Sequence, residues 1–134
     1  MNIQEIKNQF NQCHSKEESF RALVKISKEL NKLDTDRKIE SNAVTGCESQ
    51  VWLVAKQDEK TALWLFQADS DAKLIRGFLA IILAHVDNLN SQQIQQLDLI
   101  KELEQFNLAA YLTSSRNNGI HAIINKIQAL TKTD

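Results

Sequence analysis

The sequence predicts an α+β fold in which helices pack against a small antiparallel sheet of about three strands. Three observations lead to this prediction. The 134 residues include no proline and only three glycines, and such a scarcity of breakers favours long helices over a fold with many turns. Two short apolar runs, separated by a polar turn, have the composition of a β-hairpin. Elsewhere, apolar residues recur with helical spacing.

The first third of the chain is predicted to form two helices and a polar loop. Residues 2–12 have the pattern of a short helix. Ser15 and Glu18 have the spacing of a capping box, and the helix that they open is expected to end near residue 31. The apolar residues on one face of this second helix are Phe20, Leu23, Val24 and Leu30. Residues 34–46 are polar and are predicted to be a loop.

The predicted sheet follows this loop. Residues 51–55 and 63–66 are expected to be two antiparallel strands joined by the polar turn at 57–60, with apolar groups on both faces. Residues 43–45 are a candidate third strand. The hairpin and this short strand together give the sheet of about three strands.

The remainder of the chain is predicted to be helical. The two aspartates of residues 69–71 are a helix-start signal, and their charges complement the dipole of the helix that follows. That helix is apolar nearly all round and is therefore expected to be central and buried. Residues 91–112 suggest two or three short helices with Ser91 and Asp98 as caps. Residues 117–119 are expected to precede a final amphipathic helix.

Composition and charge limit the function classes. A chain of this length fits one domain, residues 1–134, and its 16 basic and 17 acidic residues provide no basic field for nucleic acid or anionic lipid. The lysines of residues 25–38 alternate with acidic residues and are interpreted as a solvated surface. The longest apolar run, 77–84, is too short to span a membrane. Residues 1–5 do not resemble a signal peptide, so a cytoplasmic location with two free thiols is expected.

The most informative short segment is Gly46-Cys47, which stands in a polar loop just before the strand at residues 51–55. Glycine adopts backbone angles that other residues avoid, so it can present the next side chain on a tight turn. Gly46 and Cys47 therefore form a candidate site for a nucleophilic thiol. Because cysteine is among the most buried residue types, the alternative is that Cys47 only fills space in the core.

Two further residues are candidates for a role beside Cys47. Cys13 is expected to pack between the first two helices, and a resolving thiol for Cys47 is the alternative. Arg116 follows Ser115 near the last helix. It is interpreted either as a partner for an anion or thiolate, or as part of a surface loop.

The sequence predicts neither a metal site nor a cofactor on this chain. Zinc and iron–sulfur sites need three or four soft ligands at recognisable spacing, whereas the cysteines and histidines here are scattered and no Cys-x-x-Cys occurs. The residues concerned are Cys13, His14, Cys47, His85 and His121. No glycine-rich phosphate loop, Gly-x-Ser-x-Gly or His-Glu-x-x-His motif is present.

Three blocks of the sequence closely resemble the SufE family of sulfur-acceptor proteins, which includes the CsdE branch. The first, NAVTGCESQVW at residues 42–52, contains Cys47. The second is DSDA followed by IRG within residues 69–77, and the third is LTSSR with a later glycine within residues 112–119. The order and spacing agree over almost the entire chain. Ala68 is a departure, because the family usually has glycine there.

The resemblance implies a fold shared with IscU-type scaffold proteins and a function in sulfur transfer. In the family, a pyridoxal-phosphate-dependent cysteine desulfurase of the SufS or CsdA type holds sulfur as a persulfide. The residue that matches Cys47 accepts this sulfur, and the protein stimulates the desulfurase and passes sulfur toward an iron–sulfur scaffold protein. This chain lacks the three-cysteine cluster site of the scaffolds. The resemblance therefore implies an accessory sulfur carrier rather than a stand-alone enzyme.

Two expectations accompany this interpretation. A bound persulfide must be shielded from reductants, so Cys47 is expected to lie near apolar cover when the protein is free and to become exposed on docking. Arg116 is expected to stabilise the thiolate. Two other function classes remain open: a two-thiol redox protein in which Cys13 resolves Cys47, and a binding module that only activates a partner enzyme while Cys47 is structural.

Overall fold

The computed structural model describes residues 2–132, which form six α-helices and a two-stranded antiparallel sheet. The elements in chain order are α1 (Ile3–Asn11), α2 (Lys16–Glu29), β1 (Val51–Gln57), β2 (Trp64–Ser70), α3 (Lys73–Val86), α4 (Ser91–Gln96), α5 (Leu99–Glu104) and α6 (Ser114–Leu130). Three single 3₁₀ turns interrupt the loops, at Thr35–Arg37, Glu40–Asn42 and Ala109–Tyr111. The predicted α+β class is confirmed.

Helices α1 and α2 begin at side-chain caps, as the sequence predicts for α2. The Ser15 hydroxyl accepts a hydrogen bond from the Glu18 amide at 3.1 Å. The Glu18 carboxylate accepts from the amide of His14 at 3.1 Å, so the reciprocal bond is formed one residue earlier than in a standard capping box. Helix α2 then ends at Glu29, two residues before the predicted position.

The hairpin is confirmed, but the predicted third strand is wrong. Val51 pairs with Ser70 and Gln57 with Trp64, at the two ends of the ladder. The segment before the cysteine contributes a single bridge, in which the Val44 amide donates to the carbonyl of Val51 at 2.8 Å. The backbone leaves this alignment at Gly46, whose φ of 94° lies in the left-handed region. Pairing therefore stops after one bridge.

Helix α3 is the central element, as its apolar sequence predicts. It packs against α2 and β2, and Phe78 and Leu79 are completely buried. The helix begins just after the two aspartates, as this helix-start signal predicts, but neither aspartate caps it: Ala72 occupies the N-cap position and makes no side-chain cap bond. Asp69 belongs to β2, and both aspartates bond other segments of the chain.

The last three helices differ from the prediction at their starts. Asn90, not Ser91, caps α4 through a complete capping box, whereas Asp98 caps α5 as predicted. Helix α6 begins at Ser114, because the Thr113 hydroxyl accepts from the amide of Arg116 at 3.3 Å. Residues 117–119 therefore lie inside this helix instead of preceding it. Within residues 2–132, no helix is both long and apolar enough to cross a bilayer.

Candidate functional site

The candidate thiol lies on a sharp turn between the bridge at Ala43 and strand β1. Gly46 has a φ of 94°, which side chains other than glycine rarely tolerate. A Cβ atom added there would also lie 3.4 Å from the Cβ of Ala122 in α6. The positive φ favours glycine immediately before Cys47, and the close contact with α6 leaves little room for a larger side chain. Gly46 thus lets the chain turn against α6 and places Cys47 on that helix.

The Cys47 sulfur rests against the first turns of α6. Its Sγ lies 3.6 Å from the carbonyl oxygen of Gly119, which is close enough for a weak hydrogen bond from the thiol. Cys47 is half-buried and packs against the hydrophobic core. Burial raises the pKa of the Cys47 thiol, because a thiolate loses more solvation energy than a thiol does.

Two cavities flank the cysteine. One, of about 260 Å³, lies between the cysteine loop, the start of α3 and the start of α6. Its lining residues are Cys47, Glu48, Ser49, Ala72, Lys73, Leu74, Ile75, Thr113, Ser115, Arg116 and Gly119. The other, of about 230 Å³, lies on the side of the bridge and β1, where Trp52 and Val44 contribute to its wall. Cys47 therefore lies between the two cavities and forms part of the wall of each.

The loop that carries the thiol is tied to the end of β2. The Gln50 amide donates to a carboxylate oxygen of Asp71 at 3.1 Å, and the amide of Asp71 donates to the Gln50 carbonyl at 3.3 Å. The Ser70 hydroxyl donates to the same carbonyl at 2.7 Å. These three bonds fix one end of the loop and leave Cys47, Glu48 and Ser49 between two anchored points.

Arg116 reaches the wall of the larger cavity. Its guanidinium Nη1 donates to the carbonyl oxygen of Tyr111, which fixes the side chain across the start of α6. Lys73, the first residue of α3, lines the same cavity. The structure therefore places Arg116 and Lys73 on the wall of the cavity that Cys47 lines.

The second cysteine belongs to a different region. Cys13 follows α1, and its Sγ lies 3.4 Å from the carbonyl oxygen of Gln9. Both thiols are free. His85 is on α3, with its Nδ1 2.8 Å from the Ile81 carbonyl, and His121 is exposed on α6. Among residues 2–132, no group of three or more His, Cys, Asp or Glu side chains is arranged to hold a metal ion.

Sequence reasoning missed several residues that build the site. The roles of Ser70 and Asp71 as anchors of the cysteine loop, and of Thr113 as the cap of α6, depend on contacts between distant segments. A signal was present, because all three residues lie in the sequence blocks that surround the candidate site in space. Gly119 also lies in such a block. Its close approach to Cys47 gives a physical reason for a small residue at this position.

Comparison with known proteins identifies the family. A sequence model of the SufE family, described as an Fe-S metabolism associated domain, matches residues 4–131 of this chain. The chain belongs to the SufE family. Membership associates it with iron–sulfur metabolism, the broad function that the sequence resemblance implies.

A solved structure has the fold of this SufE-family chain. It is the solution structure of a hypothetical protein from Thermus thermophilus, with a TM-score of 0.74. The match covers 96% of this chain and 92% of that chain at 12% identity. A likeness at this identity shows the fold alone, and it agrees with the α+β architecture expected of the SufE family.

Proposed function

We propose that this SufE-family protein accepts sulfur on Cys47 from the persulfide of a pyridoxal-phosphate-dependent cysteine desulfurase and carries it toward iron–sulfur cluster assembly. The observation that carries this proposal is the position of Cys47. The thiol is presented by the turn at Gly46 and faces a cavity of about 260 Å³. Such a space accommodates one additional sulfur atom beyond Sγ.

The proposed transfer is a thiol–disulfide-type exchange. The Cys47 thiolate attacks the terminal sulfur of the donor persulfide, forming a new S–S bond while the bond within the donor breaks. The donor cysteine leaves as a thiolate, and the proton lost from Cys47 is available to it. Atoms and electrons balance without an oxidant, so this chain needs no cofactor. Pyridoxal phosphate acts on the desulfurase, where the persulfide is made.

The burial of Cys47 suits a carrier better than a freely reactive thiol. The raised pKa favours the protonated and less nucleophilic form of the resting thiol. The sulfur is also partly covered and lies against the Gly119 carbonyl, so a persulfide carried there would be less accessible to small reductants than one on an exposed cysteine. In the docked complex, movement of residues 47–49 would expose the sulfur, and proximity to the donor would replace a low pKa as the source of rate.

Two cations support the persulfide form. Arg116 and Lys73 line the cavity into which the outer sulfur would extend, and positive charge stabilises an anion that is shielded from water. We assign both residues a supporting role, and Cys47 remains the proposed nucleophile.

The same proposal makes the protein a stimulator of the desulfurase, because removal of sulfur regenerates the donor thiol. The cytoplasm is the proposed location, and an iron–sulfur scaffold protein is the proposed next acceptor.

The test is to incubate the protein with a cysteine desulfurase and free cysteine, then record the intact mass. The wild-type protein should gain the mass of one sulfur atom, and Cys47→Ser should gain none. Cys13→Ser is the matched control, because it removes the other thiol, and it should gain sulfur as the wild type does. A sulfur gain by Cys47→Ser equal to that of wild type would overturn the proposal.

Two further assays separate the two other function classes. A two-thiol redox protein would form a Cys13–Cys47 disulfide on mild oxidation, visible as loss of alkylation at both thiols, and Cys13→Ser would lose activity. A module that only activates its partner would stimulate desulfurase turnover with Cys47→Ala as well as with wild type. Either result would exclude the carrier mechanism.

A further inference from the structure

A cationic groove lies beside the thiol site. It has a volume of about 700 Å³ and runs between the end of α2, the end of β2 and the start of α3. Among its lining residues, five are cationic and two are anionic. The cations are Lys28, Lys32, Lys38, Lys73 and Arg76, and the anions are Asp69 and Asp71. This concentration contrasts with the whole chain, whose formal net charge is −1.

The two aspartates of the groove already bond to other residues of the chain. Asp69 is nearly completely buried, pairs with Arg76 and lies 3.3 Å from the Lys38 ammonium. Asp71 accepts the amide of Gln50. Ion pairing with Asp69 therefore accounts for two of the five cations. The exposed Asp71 carboxylate offsets only one of the three that remain, so the groove keeps an excess of positive charge for an external partner.

The remaining cations are exposed. Lys28, Lys32 and Lys73 are solvent-accessible, and none has a carboxylate within ion-pair distance in the described range 2–132. Three lysine charges held near one another repel in the free protein, and this repulsion is relieved when acidic groups approach.

The groove is continuous with the thiol site at two points. Lys73 lines both the groove and the larger cavity beside Cys47. On the other side, the Lys38 ammonium lies 5.2 Å from the centre of the Trp52 ring, and Trp52 lines the smaller cavity. A protein docked over Cys47 is therefore well placed to contact the groove as well, whereas a small anion in the groove would not need to approach the thiol.

We propose that this groove is a docking surface for an acidic patch on the cysteine desulfurase that delivers sulfur to Cys47. The proposal rests on the proposed function and adds the surface and its charge. Complementary charge mainly accelerates encounter and fixes orientation. Because the Cys47 thiol is half-buried, the donor must approach it in one orientation, and a charged surface can favour that orientation at encounter.

The test measures docking apart from sulfur transfer. Lys28→Glu combined with Lys32→Glu is placed in a Cys47→Ser background, and binding to the purified desulfurase is recorded between about 50 and about 300 mM NaCl. Neither lysine lines the cavity beside Cys47, so the pair tests the groove apart from that cavity. The matched control, Lys56→Glu with Lys60→Glu, changes the net charge equally on the exposed hairpin.

The groove pair should weaken binding about tenfold at low salt and flatten the salt dependence, while the control pair stays within about twofold of the reference. Equal effects of the two pairs, or none from either, would overturn the docking surface. Saturable binding of inorganic phosphate that the groove pair abolishes, with unchanged desulfurase binding, would overturn it in favour of a small-anion site.

Two further measurements keep the result decisive. If the glutamate pair lowers thermal stability, Lys28→Gln with Lys32→Gln removes charge without adding repulsion and should still weaken binding about threefold at low salt. Sulfur gain by the wild-type protein is recorded in parallel. A wild type that never gains sulfur defeats the carrier function itself, whereas normal sulfur gain with charge-insensitive docking defeats only the groove.

Discussion

The sulfur of Cys47 and the carbonyl oxygen of Gly119 lie 3.6 Å apart, although the two residues are 72 positions apart in the sequence. A Cβ atom on Gly119 would lie 3.5 Å from the Cys47 Sγ. A methyl group at position 119 would therefore just reach the sulfur, and a larger side chain would have to displace it. It also leaves space on the wall of the larger cavity.

This relationship predicts that a small and a large substitution at position 119 have different effects. Gly119→Ala should fold normally and gain about 0.5–1 kcal/mol in stability, because alanine is favoured over glycine within a helix and its Cβ would make an ordinary van der Waals contact. Gly119→Leu should place a larger side chain against the sulfur and slow alkylation of Cys47 about tenfold. Iodoacetamide kinetics in a Cys13→Ser background measure this rate.

Asn118→Leu is the control, because Asn118 is the exposed neighbour on the same helix. Its Cys47 should react at the wild-type rate. Alkylation of Gly119→Leu as fast as wild type would mean that α6 does not control access to the thiol.

The second prediction concerns the pH dependence of Cys47. Because burial raises the pKa of the thiol, the alkylation rate of the folded protein should reach half its maximum at a higher pH than that of a peptide of residues 44–50. The comparison uses Cys13→Ser protein so that one thiol is observed. A midpoint at or below that of the peptide would show that nearby cations outweigh burial in the free protein.

The same raised pKa affects stability at alkaline pH. The folded state favours the neutral thiol, so the contribution of Cys47 is fully present below the pKa of the unfolded chain and is lost as pH rises through the folded pKa. The difference in unfolding free energy between wild type and Cys47→Ser should therefore shift against wild type above about pH 8.5. Urea unfolding at several pH values measures it, and a pH-independent difference would contradict the assignment.

The third prediction concerns Asp69, the buried carboxylate beneath the cationic groove. Burial alone would raise the pKa of Asp69, but hydrogen bonds from the amides of Leu33 and Ser70 and the charge of Arg76 together lower it. Asp69→Asn should destabilise the fold by about 2–4 kcal/mol, because it leaves the partner Arg76 uncompensated. Urea unfolding near neutral pH measures this loss.

Asp71→Asn is the matched control, since Asp71 is exposed and accepts one amide bond. It should cost less than about 1 kcal/mol. The lowered pKa of Asp69 also predicts how stability depends on pH. The stabilisation by the Asp69 carboxylate is fully present above the usual carboxyl pKa of about 3.9 and is lost as pH falls through the lower folded pKa. The deficit of Asp69→Asn should therefore shrink in acid, and a deficit that persists unchanged would contradict the charge-based explanation.

Local patterns predicted the elements well where one segment contains all the information. The spacing of apolar residues identified α2 and α3, because the face of a helix that packs is encoded in its own sequence. The starts of α4 and α6 were misplaced, because neighbouring residues compete for the cap position. The prediction of a third strand was wrong because the left-handed turn at Gly46 ends the pairing after one bridge.

The sequence by itself determined the α+β class, the SufE family and Cys47 as the candidate nucleophile, since helical periodicity and the Gly46-Cys47 motif are local properties of the chain. Only the tertiary structure decided that the Gly119 carbonyl faces that thiol and that Ser70 and Asp71 anchor its loop. It also gathered lysines from α2, from the loop after it and from α3 into one groove. These relationships join residues far apart in sequence, and their distances are fixed by how the helices pack around α3, which no short segment encodes.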